Sequence, residues 1–225
     1  MFNFTGTYTD QYQLSMAQVY FQQGHHEEVA VFDYFFRKLP YKGGYAILAG
    51  LEDLLDILQH LTFSKEDIDY LKTKDFDDDF LEYLSNFKFK GTIYSVQEGE
   101  IIFQTAPILQ VKANIIEAQI IETILLNLLN FQTLIATKAS RMRLTAGDKV
   151  LLDFGLRRAQ GPGGYLATKA AMIGGFNGSS NVITGRDFGI PISGTMAHSF
   201  VQSYDDELTA FRDFASGRPK NCVLL

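Results

Sequence analysis

Behind Thr9-Asp10, apolar and aromatic side chains recur at Tyr12, Leu14, Met16, Ala17 and Tyr20. This spacing predicts an N-capped amphipathic helix ending near Gly24. Residues 28–36 are dense in valine and aromatics and predict a strand, closed by Arg37-Lys38-Leu39-Pro40. Gly43-Gly44 then opens a helix expected to reach Leu61. Ser64-Lys65-Glu66-Asp67 has the form of a capping box, in which serine and acid each satisfy the other's backbone amide. Asp77-Asp78-Asp79 places acid at the start of a further short helix.

From Gly91 the pattern turns to β, with short turn-bounded runs at 92–96, 101–103 and 108–111 and Pro107 at a strand start. The greasiest stretch, 115–135, is interrupted by Glu117, Gln119, Glu122, Asn127, Asn130 and Gln132. A membrane span rarely tolerates so many polar groups, so a helix buried on most sides is expected from Asn114 toward Arg143. A different rhythm follows. Strands are expected at 150–154, 174–176, 191–193 and 222–225, and helices at 165–173, 182–187 and 206–214. Such alternation implies parallel β/α units. Four such strands cannot close an eight-stranded barrel, which typically takes roughly 250 residues. The chain is therefore expected to be a truncated N-terminal piece of a longer protein, or one that other chains complete.

Composition narrows the function classes. The 225 residues are 46% hydrophobic and 20% charged, with a net charge of -6. That balance is globular, and with no lysine/arginine block it argues against a nucleic-acid partner. The single cysteine, Cys222, excludes an intramolecular disulfide and fits a reducing compartment. Met1 to Gly6 lacks a basic start and a long apolar stretch, so a cytoplasmic location without a membrane partner is expected.

Several segments carry candidate chemistry. Asp153-Phe154-Gly155-Leu156-Arg157-Arg158 follows the first β/α strand. Its glycine permits a sharp turn, and its arginines either bind a phosphate or pyrophosphate or are solvated surface cations. Gly161-Pro162-Gly163-Gly164 opens the next helix, as an anion-binding turn or a plain loop. Ser179 and Ser180 are natural N-caps, and such a hydroxyl would also receive a small carboxylate. No Gly-Lys-Ser/Thr follows, which excludes a nucleoside-triphosphatase phosphate loop. Lys138, Arg141 and Arg143 end the long helix, where its dipole favours cations with or without phosphate. His25-His26 beside Glu27-Glu28 lacks metal-ligand spacing, and no metal site is expected from the residues. His198 lies in Gly194-Thr195-Met196-Ala197-His198-Ser199, among small residues where a strand should end. Alone it is either a structural histidine or a group that exchanges a proton or accepts a phosphoryl group.

Six stretches, in order, resemble the nicotinate phosphoribosyltransferase family. They are Thr9-Asp10-Gln11-Tyr12-Gln13-Leu14-Ser15-Met16-Ala17, Phe32-Asp33-Tyr34-Phe35-Phe36-Arg37, Gly44-Tyr45-Ala46-Ile47-Leu48-Ala49-Gly50-Leu51, Ala136-Thr137-Lys138-Ala139, the run from Asp153 to Gly161, and Gly194 to Ser199. Together they extend over essentially the whole chain. The resemblance implies an α/β fold of the type II phosphoribosyltransferases. Residues 1–113 would form an N-terminal α+β domain, 114–147 a long linking helix, and 148–225 the first half of an irregular, TIM-like α/β barrel, apparently truncated.

It further implies that nicotinate and 5-phosphoribosyl 1-pyrophosphate give nicotinate mononucleotide and pyrophosphate, with ATP hydrolysis through a phosphohistidine and with Mg2+. By motif position His198 would be that phosphohistidine. Thr195 and Tyr12 would contact nicotinate, the tyrosine coming from the neighbouring subunit of a homodimer. Phe154 would stack on the pyridine ring and Arg157 would face the phosphoribosyl pyrophosphate. Ser180 falls where nicotinamide-using relatives place an aspartate, which would repel a carboxylate. Family members are considerably longer, so the isolated chain is expected to be inactive. Two alternatives stand: a related nicotinamide or quinolinate phosphoribosyltransferase, and a non-catalytic fragment acting in binding or oligomerisation.

Overall fold

The first predicted helix forms as α1, Gln11–Gln22, and buries Gln13, Leu14 and Ala17. Asp10 sits at its N-cap without capping it, because its carboxylate instead accepts a 3.0 Å hydrogen bond from the Thr123 hydroxyl. The computed structural model describes residues 4–224. A 3₁₀ turn, His25–Glu27, leads into β1, Val29–Tyr34. The helix expected from Gly43-Gly44 starts later. Ala46–Ile47 is strand β2, Gly50 turns the chain at φ 97°, and α2 runs Leu51–His60. A positive φ of that kind favours glycine.

The capping box forms as read: α3, Lys65–Lys72, begins with Ser64 Oγ accepting from the Asp67 amide and Asp67 accepting from the Ser64 amide. Helix α4, Asp78–Ser85, follows with acid in its first turn. Strands β3, Thr92–Ser95, β4, Ile101–Ile102, and β5, Leu109–Asn114, complete the first part of the chain. One antiparallel sheet has the order β1-β5-β3, and β2 pairs with β4 antiparallel.

Helix α5, Ile115–Ala146, is the spine. A single hydrophobic core runs from Leu14 to Leu129, so the first turns of α5 pack as one unit with the preceding elements. The polar residues that interrupt its apolar run each meet a partner there, Glu122 accepting from Gln119 at 3.1 Å. Glu117 accepts from the Lys90 amide, Gln119 donates to Gln13, Asn127 accepts from Tyr8, Asn130 accepts from Tyr34, and Gln132 donates to Asp53. Buried polar groups persist where such partners exist. By length and composition α5 would pass for a membrane span, but more than half of its apolar window is buried inside the protein, as in a core helix.

Beyond α5 come β6, Leu152–Asp153, a 3₁₀ turn, Leu156–Arg158, α6, Gly161–Ile173, and β7, Gly178–Ser179. Then follow α7, Val182–Phe188, α8, His198–Gln202, and α9, Glu207–Gly217. Strands β6 and β7 pair in parallel, and Ile192 bridges Ser179 in the same sense. The β/α rhythm is present with shorter strands than expected. The 150–154 run narrows to two residues, the strand expected at 174–176 lies at Gly178–Ser179, and 191–193 contributes a single bridge. Residues 222–224 form no strand, Val223 and Leu224 are exposed, and Leu225 lies outside the described residues. Apolar character there found no neighbouring strand to pair with. Short α8 was not expected.

Candidate active site

Because β6, β7 and Ile192 run parallel, the segments leaving their C-terminal ends emerge together. They line one cavity of about 320 Å³. Phe154 and Arg157 come from the turn after β6, Ser180 from the end of β7, and Thr195 and His198 from the segment beyond Ile192. Leu156 and Met196 supply further apolar wall.

Local bonding decides which of the candidate groups face this space. Asp153 Oδ1 accepts from the Gly155 amide at 2.8 Å and bends the chain just after Phe154. Of the two adjacent arginines, Arg158 turns back, its Nη1 donating to the Phe154 carbonyl at 3.3 Å. Arg157 lines the cavity with no carboxylate within ion-pair distance among the described residues. Ser179 is consumed structurally: its hydroxyl donates to the Asp153 carbonyl at 2.9 Å and accepts from the Asn181 amide at 3.0 Å. Asn181, rather than either serine, occupies the N-cap of α7. Ser180 is left exposed at the cavity with an uncommitted hydroxyl. The Thr195 hydroxyl donates to the Met196 carbonyl at 2.9 Å and keeps its acceptor lone pairs for another group. His198 is exposed in the first turn of α8.

No aspartate or glutamate lines the cavity, so Arg157 gives it a positive bias suited to an anion. Behind it, α6 and α7 are joined by the Tyr165 hydroxyl, which donates to Asp187 at 2.9 Å. Burial and that carboxylate push the Tyr165 phenol up to about 12. Hydrogen bonds from Arg186 and Tyr165 hold Asp187 below the usual carboxylate range.

Residues 7–130 match the family described as the nicotinate phosphoribosyltransferase (NAPRTase) N-terminal domain. The chain belongs to this family. It is 48% identical over 220 residues to the nicotinate phosphoribosyltransferase of Bacillus subtilis (strain 168), covering 97% of this chain and 45% of that protein. It is 46% identical over 202 residues to the Caenorhabditis elegans nicotinate phosphoribosyltransferase, covering 87% of this chain and 36% of that one. The crystal structure of human nicotinic acid phosphoribosyltransferase superimposes with a TM-score of 0.81 at 40% identity, over 87% of this chain and 40% of that chain. The chain thus spans less than half the length of these relatives.

Five of the six residues singled out by the family resemblance meet at the cavity; Tyr12 does not. It stands 51% exposed on α1, with its phenol oxygen accepting from Gln13 at 2.8 Å. The family stretch from Phe32 to Arg37 lines a separate cavity of about 700 Å³ against α5. The glycine-rich start of α6 lies outside the site lining, and Arg143 ends α5 structurally, donating to the Gly147, Lys149 and Gly175 carbonyls. Among the described residues no three His, Cys, Asp or Glu side chains group closely enough to hold a metal ion. The sequence reading missed Asp153 as an organising group, since an acid at a strand end looks like any turn residue.

Proposed function

We propose that this chain supplies the pyridine-facing part of a nicotinate phosphoribosyltransferase of NAD salvage, whose β6–β7 unit starts an irregular α/β barrel. One observation carries the reading. Phe154, Arg157, Ser180, Thr195 and His198 come from three separate segments and line a single cavity that contains no acid. In the reaction, the pyridine nitrogen of nicotinate bonds to the ribose C1 of 5-phosphoribosyl 1-pyrophosphate as the C1–O bond breaks and pyrophosphate leaves. Phe154 presents an aromatic face that holds the flat ring in line. Arg157 stabilises the negative charge that gathers on the departing pyrophosphate. Ser180 donates to the nicotinate carboxylate, and the acid-free lining favours that anion over an amide.

His198 is the proposed acceptor of a phosphoryl group from ATP, its exposed ring forming the P–N bond as ADP leaves. Hydrolysis of that phosphohistidine then drives the synthesis forward. Tyr12 is assigned to the site of a neighbouring subunit in a cytoplasmic homodimer, which its exposure on α1 supports. The 225 residues, spanning less than half the length of their relatives, are proposed to be inactive alone.

The test compares nicotinate, nicotinamide and quinolinate as substrates of the full-length protein. Selective turnover of nicotinate is expected. Preference for nicotinamide would contradict the role of Ser180, and turnover of none would leave a binding or oligomerisation module.

A further inference from the structure

Asp153 stands at the end of β6 and touches both walls of the cavity without lining it. Its Oδ1 accepts from the Gly155 amide at 2.8 Å, fixing the turn that carries Phe154 and Arg157. The turn is so tight that a Cβ on Gly155 would lie 2.9 Å from that same oxygen. Its Oδ2 accepts from the Thr168 hydroxyl on α6 at 2.7 Å, while the Ser179 hydroxyl donates to the Asp153 carbonyl at 2.9 Å. Its carbonyl accepts from the Ser180 amide at 3.0 Å.

The hydroxyls around Asp153 are shielded from water. Thr168, Ser179 and Asn181 are all buried. Thr168 has one proton and two acceptors in reach, the Asp153 carboxylate at 2.7 Å and the Gly164 carbonyl at 3.1 Å. The charged, shorter bond wins, and the Thr168 oxygen then accepts from Asn181 Nδ2 at 3.3 Å. Asp153 thereby ties β6 and α6 through its carboxylate and β7 through its carbonyl at the point where the cavity opens.

We propose that Asp153 is a positioning residue that sets the separation between the Phe154 face and the Ser180 hydroxyl. Its consequence for nicotinate rests on the function proposed above, while its geometry does not. A ring stacked on Phe154 meets Ser180 at its carboxylate only when that separation is held. Asp153 therefore governs nicotinate KM and the choice between nicotinate and nicotinamide. A carboxylate that merely stabilised the lobe would move neither.

The test uses Asp153→Ala, Asp153→Asn and Thr168→Val in the full-length protein, read by amide hydrogen exchange and by kinetics. In Asp153→Ala, exchange at Gly155, whose amide loses a hydrogen bond to a charged group, should rise at least about ten-fold, with α5 unchanged. The nicotinate KM should rise by a similar factor, with discrimination against nicotinamide reduced. Asp153→Asn keeps an oxygen acceptor for Gly155 and should restore much of both. Thr168→Val cuts the tie from α6 while leaving the Gly155 amide bonded, and should raise the nicotinate KM even if Asp153→Ala fails to fold. Unchanged exchange at Gly155 in folded Asp153→Ala, or an unchanged nicotinate KM in Thr168→Val, would overturn the proposal. If exchange rises while the wild type turns over no nicotinate, the positioning role stands and the functional reading falls.

Discussion

The Lys169 ammonium on α6 lies 2.9 Å from Asp53 Oδ1 on α2 and ties the β/α part of the chain to its N-terminal part. The other Asp53 oxygen accepts from Gln132 of α5 at 2.9 Å, so three helices share one mostly buried carboxylate. Truncating the lysine leaves that charge with a single neutral donor. Lys169→Met should therefore destabilise the protein by about 2–3 kcal/mol, somewhat below a fully buried pair because both groups keep some solvent. Urea unfolding measures it. The double variant with Asp53→Leu should lose less than the sum of the single changes, and simple additivity would contradict the pairing.

The capping box of α3 carries a pH dependence. Burial raises the Asp67 carboxyl, but hydrogen bonds from the Thr7 hydroxyl and from Ser64 outweigh it and hold the group below its ordinary value. A folded-state value below the unfolded one contributes stability that is present at neutral pH. That stability is lost as pH falls through the folded value. Unfolding between about pH 7 and pH 3 should show wild type losing more stability on acidification than Asp67→Asn. Parallel curves would contradict it.

Gly174 lets the end of α6 lie against α5. A Cβ there would meet the Ala136 carbonyl oxygen at 2.4 Å and the Ala139 Cβ at 2.5 Å. Neither is a flexible side-chain end, so Gly174→Ala should cost about 1–3 kcal/mol, as overpacking generally does. A thermal melt unchanged from wild type would contradict that close approach.

Much of this fold was legible because its signals are local. The Ser64 box, the acids before α4 and the periodicity behind Asp10 all act within one or two turns. What escaped depends on distant partners. Ala46–Ile47 is a strand only because Ile101–Ile102 lies beside it, and nothing within Gly43 to Leu51 announces that pairing. The polar residues of α5 argued correctly against a membrane span, but their partners, from Tyr8 to Lys90, are set by the tertiary fold. At the cavity, the residues that face the space were marked by their resemblance to a family. The carboxylate that holds them, Asp153, lies in a marked stretch but carried no role there, because its role lies in which amide and hydroxyl converge on it.

Ser180 offers a direct probe of substrate choice. An aspartate there would set a second negative charge against the nicotinate carboxylate in a lining that has none. Ser180→Asp should raise the nicotinate KM by about ten-fold or more while affecting nicotinamide far less, as steady-state kinetics of the full-length protein would show. Equal effects on both substrates would contradict the assignment.

His198 lines the same cavity as Phe154 and Arg157 and is the proposed acceptor of a phosphoryl group from ATP. The most direct measurement is incubation of the full-length protein with γ-labelled ATP, followed by mapping of acid-labile phosphate. Label on His198, absent from His198→Ala and discharged when nicotinate and 5-phosphoribosyl 1-pyrophosphate are added, is the predicted result. Label on another residue, or undiminished labelling of His198→Ala, would contradict it.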